Sequence, residues 1–302
     1  MDRPVGRIKE SLFPCLRVSP PCSFPSVRHF KLKEIKRATA NFSTFMGSDS
    51  YGAIYRAQFS GGLIAAVTEL RNDGPENDAF YRQVQILGRL HHRHIVTLRG
   101  FSEGCQRFLV FDFVGNGSLK EHLQDPLKTP LSWKSRLRIA VDVAAALEYL
   151  QYFCDPPILY DFVNSSNVLL DENFAAKLSG VGALRSAGRD FSPLEFTCSS
   201  EMNQKCKRII FQFGVLILEL ITGQFLGNGD TEVVEWVQGS GLTDSIHNMV
   251  DADLGYSYDS NELKSLLIIA KLCTKSDGKP MISVPQILRY LQKFMELPIS
   301  YV

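Results

Sequence analysis

A glycine-punctuated turn at residues 47–52, with the sequence GSDSYG, is the first segment whose residue types could do chemistry. Two glycines separated by four residues let backbone N–H groups approach the oxygens of a phosphate closely. The turn joins two predicted strands, and a plain β-hairpin would need the same glycines. Taken alone, the segment leaves phosphate binding and a structural hairpin equally open.

The composition is that of an ordinary globular protein with one large domain or two small ones. The chain has 302 residues, of which 45% are hydrophobic and 22% charged, so a sizeable core is available. Lys and Arg number 33 against 32 Asp and Glu, and this balance gives no support to non-specific nucleic-acid binding. We therefore expect no nucleic-acid partner.

Cysteine usage and the apolar segments favour a reducing, cytoplasmic location. The 7 cysteines are widely spaced and form no Cys-x-x-Cys pair, which argues against a disulfide framework or a zinc ribbon. Residues 1–9 lack the apolar region of a secretory signal. The most apolar window, residues 209–223, is too short for a span of ~20 residues, so we predict a buried helix and no transmembrane span.

Hydrophobic patterning divides the chain into a strand-rich part and a helical part. Short apolar runs predict strands at 53–57, 63–70 and 108–113, with helices at 31–42 and 80–90. Longer helical patterns follow at 133–153, 209–221, 263–273 and 284–297. The first 28 residues contain five prolines and are predicted to be irregular. The pattern predicts a two-lobed α+β fold with a boundary near residues 114–118.

Four motifs resemble those of plant receptor-like protein kinases. They are LHHRHIV at 90–96, LVFDFVGNGSL at 109–119, NSSNVLLDENF at 164–174 and FGVLILELITG at 213–223. Their order and spacing match the family from residue 30 to residue 295. The resemblance implies a bilobal protein-kinase fold. It has an N-lobe of five strands and one helix at 29–114, and a mostly helical C-lobe at 115–302. The same comparison gives His91, His92 and His94 a structural role in a loop, with no metal site.

The resemblance also shows that the catalytic positions of the family are degenerate. The lysine that holds the nucleotide phosphates is replaced by Thr68, and the helix glutamate that pairs with it by Gln83. The aspartate that accepts the substrate proton is replaced by Phe162, the lysine two residues later by Asn164, and the metal-binding aspartate by Gly180. Kinases need these groups to offset the triphosphate charge and to position the nucleophile.

Other family positions are kept or altered in ways that matter for nucleotide binding. Asp49 replaces a glycine of the phosphate loop, and Ile209 replaces the aspartate that braces the catalytic loop. A vestigial nucleotide slot is expected from Gly47, Gly52, Ile54, Ala66, Asp112, Val114, Asn167 and Leu169. These residues equally fit a plain core. No cofactor is required; ATP binding, where it occurs, is expected to be weak and independent of metal.

Three functions remain open at this point. The first is a catalytically inactive kinase homologue, a pseudokinase that acts as a scaffold or allosteric regulator. Its partners would be active receptor-like kinases or their substrates. The second is a serine/threonine kinase with residual or unconventional phosphotransfer, and the third is a switch that binds ATP without catalysis. Cys15 lies near Arg7, Lys9 and Arg17, so peripheral association with the cytoplasmic face of the plasma membrane through acylation also stays open.

Overall fold

A mixed sheet of six strands builds the N-terminal lobe of this computed structural model. The structure describes residues 27–48, 52–70, 77–160, 162–180, 200–226, 231–239, 249–255, 257–275 and 282–296. The strand order is β1-β5-β6-β4-β3-β2. The strands are β1 (Arg28–His29), β2 (Phe45–Ser48), β3 (Gly52–Gln58), β4 (Ile64–Leu70), β5 (Leu98–Ser102) and β6 (Arg107–Asp112).

The expectation of five strands in this lobe was wrong by one, and the lobe has the two helices that the hydrophobic pattern predicted instead of the one that the resemblance implied. The extra strand is β1, which pairs in parallel with β5. The extra helix is the short segment predicted near residues 31–42, found as α1 (Leu32–Ala38) ahead of α2 (Asn77–Arg89). A strand of two residues has no measurable period, and its partner lies about 70 residues away in the chain, so no local pattern could reveal it.

Both faces of the sheet are covered, which follows from the alternation of side chains along its strands. On one face, Phe108 and Val110 join Phe30 and Ile35 in a buried cluster beneath α1. On the other face, Leu109 belongs to the main core together with residues of α2. Segment 27–38 therefore completes a second hydrophobic core that the rest of the lobe cannot close alone.

The C-terminal lobe is mostly helical, as predicted, with one small hairpin. Its largest buried element is α5 (Ser200–Thr222), in which the predicted helix 209–221 is contained. The hairpin consists of β7 (Val168–Leu170) and β8 (Ala176–Leu178). The other described helices are α3 (Leu119–Gln124), α4 (Trp133–Glu148), α6 (Thr231–Gly239), α7 (Ser260–Cys273) and α8 (Val284–Glu296). Among the described helices, none is both long and apolar enough to cross a membrane.

The loop between α2 and β5 connects the two lobes. The Val96 N–H donates to Leu178 O at 3.0 Å, and the Leu178 N–H donates to His94 O at 2.9 Å. His94 is buried: its Nδ1 lies 2.9 Å from Ala176 O, and its Nε2 lies 2.7 Å from Arg93 Nε and 3.3 Å from Asp142 Oδ1. Burial lowers the pKa of His94 against the opposing effect of Asp142, so a neutral imidazole holds this junction. The predicted structural role of His94 is therefore confirmed by its contacts.

Candidate functional site

A cavity of about 570 Å³ opens between the two lobes and contains most of the predicted site residues. Of the predicted slot, Gly47, Ile54, Ala66, Asp112, Val114, Asn167 and Leu169 line it. The degenerate positions Thr68, Phe162, Asn164 and Gly180 line it as well. We call this space the interlobe cavity. Gly52 and Gln83 are not among its lining residues, so the structure does not bring these two predicted residues to the site.

Apolar side chains from the sheet and from the C-lobe form the walls of the slot. Ile54 on β3 lies opposite Thr68 on β4, and Ala66 on β4 pairs with Phe111 on β6. Leu169 on β7 reaches the same cavity from the C-lobe and is tied to the hinge through a bridge with Ser118. All three side chains, Ile54, Ala66 and Leu169, are partly exposed toward this space. The walls can sandwich a planar ring.

The hinge offers a limited set of backbone groups. The Asp112 N–H donates to Thr97 O at 3.0 Å and is therefore occupied. The backbone group of Asp112 that a ligand could contact is its carbonyl. The Asp112 carboxylate accepts two hydrogen bonds from Arg99, at 2.5 and 2.8 Å. That hydrogen bonding raises the pKa of Arg99 and fixes the Asp112 side chain against the sheet. Asp112 therefore acts here mainly as part of the hinge framework.

The end of the cavity where kinases hold the phosphates carries neutral side chains. Thr68 is only 8% exposed and lies between Ile54 and Leu109 in the strand pairing. Among the residues described here, no lysine, arginine or histidine lines the cavity, and its charged lining residues are Asp112 and Glu121. Glu121 accepts from Ser118 Oγ at 2.9 Å and caps α3. Nothing in this described lining offsets the charge of a triphosphate.

Asn167, the one polar catalytic residue that matches the family, is held by its own loop. Its Nδ2 donates to Phe162 O at 3.0 Å, and its N–H donates to Asn164 Oδ1 at 3.0 Å. Ser179 Oγ donates to Asn167 O at 3.0 Å. The side-chain amide therefore closes a turn, and a single amide oxygen remains where a kinase would present a set of metal ligands.

Gly180 has a left-handed backbone conformation and supplies no carboxylate. Its φ of +65° lies in the left-handed region, and a Cβ added there would lie 3.4 Å from Asn167 Oδ1. Asp and Asn tolerate this region better than most residues, so the chain geometry alone does not exclude a carboxylate. Magnesium prefers carboxylate oxygens, and this position supplies none.

Two residues on α5 brace the degenerate catalytic loop, and sequence reasoning missed both. Gln212 Oε1 accepts from the Val163 N–H at 3.2 Å. The fully buried Glu219 accepts from the N–H groups of Ser165 at 3.2 Å and Leu226 at 2.9 Å. Ile209, at the position of the family's bracing aspartate, is buried in the core instead. Gln212 lies one helical turn further on, a spacing of three residues that could have identified it.

Some predicted features fall on residues outside the described part of the chain. These are Asp49 of the glycine-rich turn and the N-terminal Cys15, and residues 161 and 181–199 also lie outside the described part. The effect of Asp49 on nucleotide binding and the acylation of Cys15 therefore stay predictions. Tyr160, beside Asp161, is described: its hydroxyl donates to Ser179 O at 2.6 Å and links the catalytic loop to the strand that precedes Gly180.

Comparison with known proteins identifies the family. A family model described as protein tyrosine and serine/threonine kinase matches residues 40–241, so the chain belongs to this family. A probable receptor-like protein kinase of Arabidopsis thaliana is 37% identical, with 96% of this chain and 47% of that protein covered. The calcium/calmodulin-regulated receptor-like kinase 1 of Arabidopsis thaliana is 31% identical, with 91% and 65% covered. The chain thus spans about half to two thirds of the length of these relatives.

Solved structures with the same fold include inactive kinases. The pseudokinase domain of BIR2, an immune regulator of the RLK/Pelle family, superposes with a TM-score of 0.74 at 28% identity, covering 88% of this chain and 84% of that one. The pseudokinase DRIK1 gives 0.74 at 23% identity, covering 91% and 100%. The predicted bilobal protein-kinase fold and the resemblance to receptor-like kinases are confirmed.

Proposed function

We propose that this chain is a pseudokinase that transfers no phosphate and acts by binding other proteins. The observation that carries the proposal is the phosphate end of the interlobe cavity, where the described residues Thr68, Phe162 and Gly180 stand in place of a lysine and two aspartates. Removing one catalytic group typically costs a kinase ~10²–10⁴-fold in rate, and losses within one site do not simply add. With all three groups absent, the only contribution to catalysis that remains is the positioning of the substrates.

Phosphotransfer by the purified chain is the direct test. Labelled ATP with Mg²⁺ or Mn²⁺ should give no more incorporation into the chain or a general substrate than a heat-denatured sample. The matched variant is Asn167→Ala, which removes the amide at the one described catalytic position that still matches the family. Incorporation above background that disappears in Asn167→Ala would contradict the proposal and favour the alternative of residual phosphotransfer.

The proposed partners are active receptor-like kinases or their substrates, met at the cytoplasmic side of the plasma membrane. Support comes from the 28% identical BIR2 domain, whose description is that of an immune regulator. Affinity purification of the chain from plant cells should recover receptor-like kinases. The same partners should be retained by Asn167→Ala, because a scaffold needs its surfaces and not its metal ligand. Loss of the partners in that variant would favour an enzymatic role.

A nucleotide role is a second candidate because Ile54, Ala66 and Leu169 still line the cavity. The adenine part of a ligand keeps its apolar contacts, whereas the phosphates find no cation in the described lining. We propose that any ATP binding is weak and independent of metal, and that no cofactor is required.

A further inference from the structure

Alternate residues of β4 face the interlobe cavity. Ala66, Thr68 and Leu70 all line it, as the two-residue period of a strand requires. The neighbouring strands place Ile54 and Leu109 directly beside Thr68 in the sheet, and both also line the cavity. The Thr68 hydroxyl is therefore a polar group within an apolar part of the cavity wall.

The Thr68 hydroxyl has no hydrogen-bond partner in the described part of the chain. The residue is only 8% exposed, and no hydrogen bond links its side chain to another described residue. Buried hydroxyl groups are usually hydrogen-bonded, because an unpaired polar group in an apolar environment destabilises a fold. Since Thr68 lines the cavity, a ligand bound there can supply the missing partner.

Phe162 adds an aromatic ring to the same cavity from the side of the C-lobe. The residue is 39% exposed, and its carbonyl accepts a hydrogen bond from Asn167 Nδ2 at 3.0 Å, which fixes the backbone that carries the ring. Aromatic rings attract other rings beyond the simple effect of buried area. A planar ligand between Ile54, Ala66 and Leu169 can therefore gain a further ring contact at Phe162.

The charge of the described lining restricts the class of ligand. Its charged side chains, Asp112 and Glu121, are both carboxylates. Arg99 binds Asp112, while Glu121 accepts from Ser118 Oγ and lies 3.8 Å from Lys128 Nζ, so both carboxylates already have partners. An anionic ligand would meet no cation in this lining, and a cationic ligand would compete with the existing partners. An uncharged ligand fits the described lining best.

We infer that the interlobe cavity binds an uncharged planar aromatic compound that carries a hydroxyl group, and that this hydroxyl pairs with Thr68. Its volume of about 570 Å³ is that of an ordinary small-molecule pocket. A ligand hydroxyl can donate to threonine or accept from it, so the pair forms in either direction. The inference rests on the proposed function, because it gives the site a ligand that is no phosphoryl donor.

Fluorescence titration of the full chain with two matched probes tests the hydroxyl pair. The probes are 2,6-dihydroxynaphthalene and naphthalene, which share the ring system and differ in the hydroxyl groups. Thr68→Val keeps the shape of the side chain and should weaken binding of the dihydroxy probe about fivefold, the value of one neutral hydrogen bond. The same variant should bind naphthalene no more weakly than the unmodified chain does. Thr68→Ser keeps a hydroxyl and should bind the dihydroxy probe more tightly than Thr68→Val.

Two further comparisons test the charge and the ring contact. A third probe, 6-hydroxy-2-naphthoate, carries a carboxylate that would face either the apolar wall or the side with Asp112 and Glu121. It should bind more than about tenfold more weakly than the dihydroxy probe. Phe162→Ala should weaken naphthalene and its dihydroxy derivative alike, by about fivefold. Phe225→Ala, at a 37% exposed position outside the described lining, is the matched control and should change neither affinity.

Three results would overturn the inference. They are an absence of binding by the dihydroxy probe, an affinity for it that is the same in Thr68→Val, and a naphthoate that binds as tightly as the uncharged probe. Phosphate incorporation from labelled ATP is measured on the same preparation. Incorporation would contradict the proposed function whatever the probes do, whereas a lack of probe binding without incorporation would overturn this inference alone.

Discussion

Thr68 shows how a single side chain limits what the interlobe cavity can do. Replacing it with lysine supplies the ammonium group that kinases place on the phosphates, but Gly180 still provides no carboxylate for the metal. We expect Thr68→Lys to transfer no phosphate above the background of a heat-denatured sample, in an assay with labelled ATP. Thr68→Met is the control of similar length without charge. A rate in the lysine variant alone would show that the metal is held in another way.

The affinity for ligands should depend on the ring and not on the phosphates. If the slot takes up a nucleotide, Ile54, Ala66 and Leu169 would contact the ring equally in adenosine and in ATP, whereas the described phosphate end has no cation. Calorimetry should give dissociation constants within about tenfold of each other, a gap below ~1.4 kcal/mol, with little effect of Mg²⁺.

The control for this measurement is Ala66→Leu, which narrows the slot and should weaken both ligands alike. ATP–magnesium binding more than about tenfold tighter than adenosine would reveal a phosphate site and favour the ATP-binding switch.

Gln212 should control the mobility of the loop that it braces. Its Oε1 accepts the Val163 N–H, and losing a hydrogen bond of this kind costs about 1 kcal/mol. Gln212→Ala should therefore accelerate hydrogen exchange at the Val163 amide about fivefold. Gln212→Glu keeps an acceptor oxygen and should exchange more slowly than the alanine variant. Equal exchange rates in the two variants would show that the bond does not hold the loop.

At the scale of elements, segment 27–38 is an integral part of the N-lobe. Phe30 is 1% exposed and lies 4.6 Å from the Phe59 ring in the cluster beneath α1. Truncating a buried phenylalanine typically costs about 3–5 kcal/mol, so Phe30→Ala should lower the free energy of unfolding by this amount. Denaturant titration measures the loss. Phe45→Ala, at a 59% exposed position, is the control and should cost far less.

The elements also show which parts of the fold a sequence can reveal. The long helices α4, α5, α7 and α8 span several turns, so their apolar periodicity is visible locally. The apolar runs did not predict six short elements of between two and nine residues, which are β1, β5, β7, β8, α3 and α6. In the same way, Thr68 and Gly180 were found because matching motifs flank them. The bracing role of Gln212 depends on a hydrogen bond to Val163, 49 residues away in the chain, and its spacing of three residues from Ile209 was the one local signal for it.

For the whole molecule, the junction between the lobes predicts a dependence of stability on pH. Burial lowers the pKa of His94, and it lowers the pKa of His92 to about 4 from 6.5. Below pH 6.5 the unfolded chain binds protons that the folded chain excludes. The free energy of unfolding should therefore fall as the pH drops from 6.5 toward 4. The fall should stay below the limit of about 1.4 kcal/mol per pH unit for each histidine, because His92 is partly exposed and because the raised pKa of Asp142 acts in the opposite direction.

Denaturant titrations at several pH values between 7.5 and 4.5 measure this slope. His94→Gln removes one of the two titrating groups and should flatten the curve. His91→Gln is the matched control at an exposed histidine of the same loop, and it should leave the slope as it is. A curve that is equally steep in His94→Gln and the unmodified chain would contradict the assignment.

The interlobe cavity has a consequence for chemical control of this protein. Compounds aimed at ordinary kinases must compete with the abundant ATP of the cell, which fills the same space. A cavity of about 570 Å³ whose described lining carries no cation for the phosphates offers ATP no such advantage. An uncharged compound with a planar ring would then meet little competition from ATP. Its effect would be measured as a change in the binding of partner proteins and not as a change in a reaction rate. Under the proposed function, such a compound would probe the binding of partners by this chain, because no phosphate transfer takes place for it to inhibit.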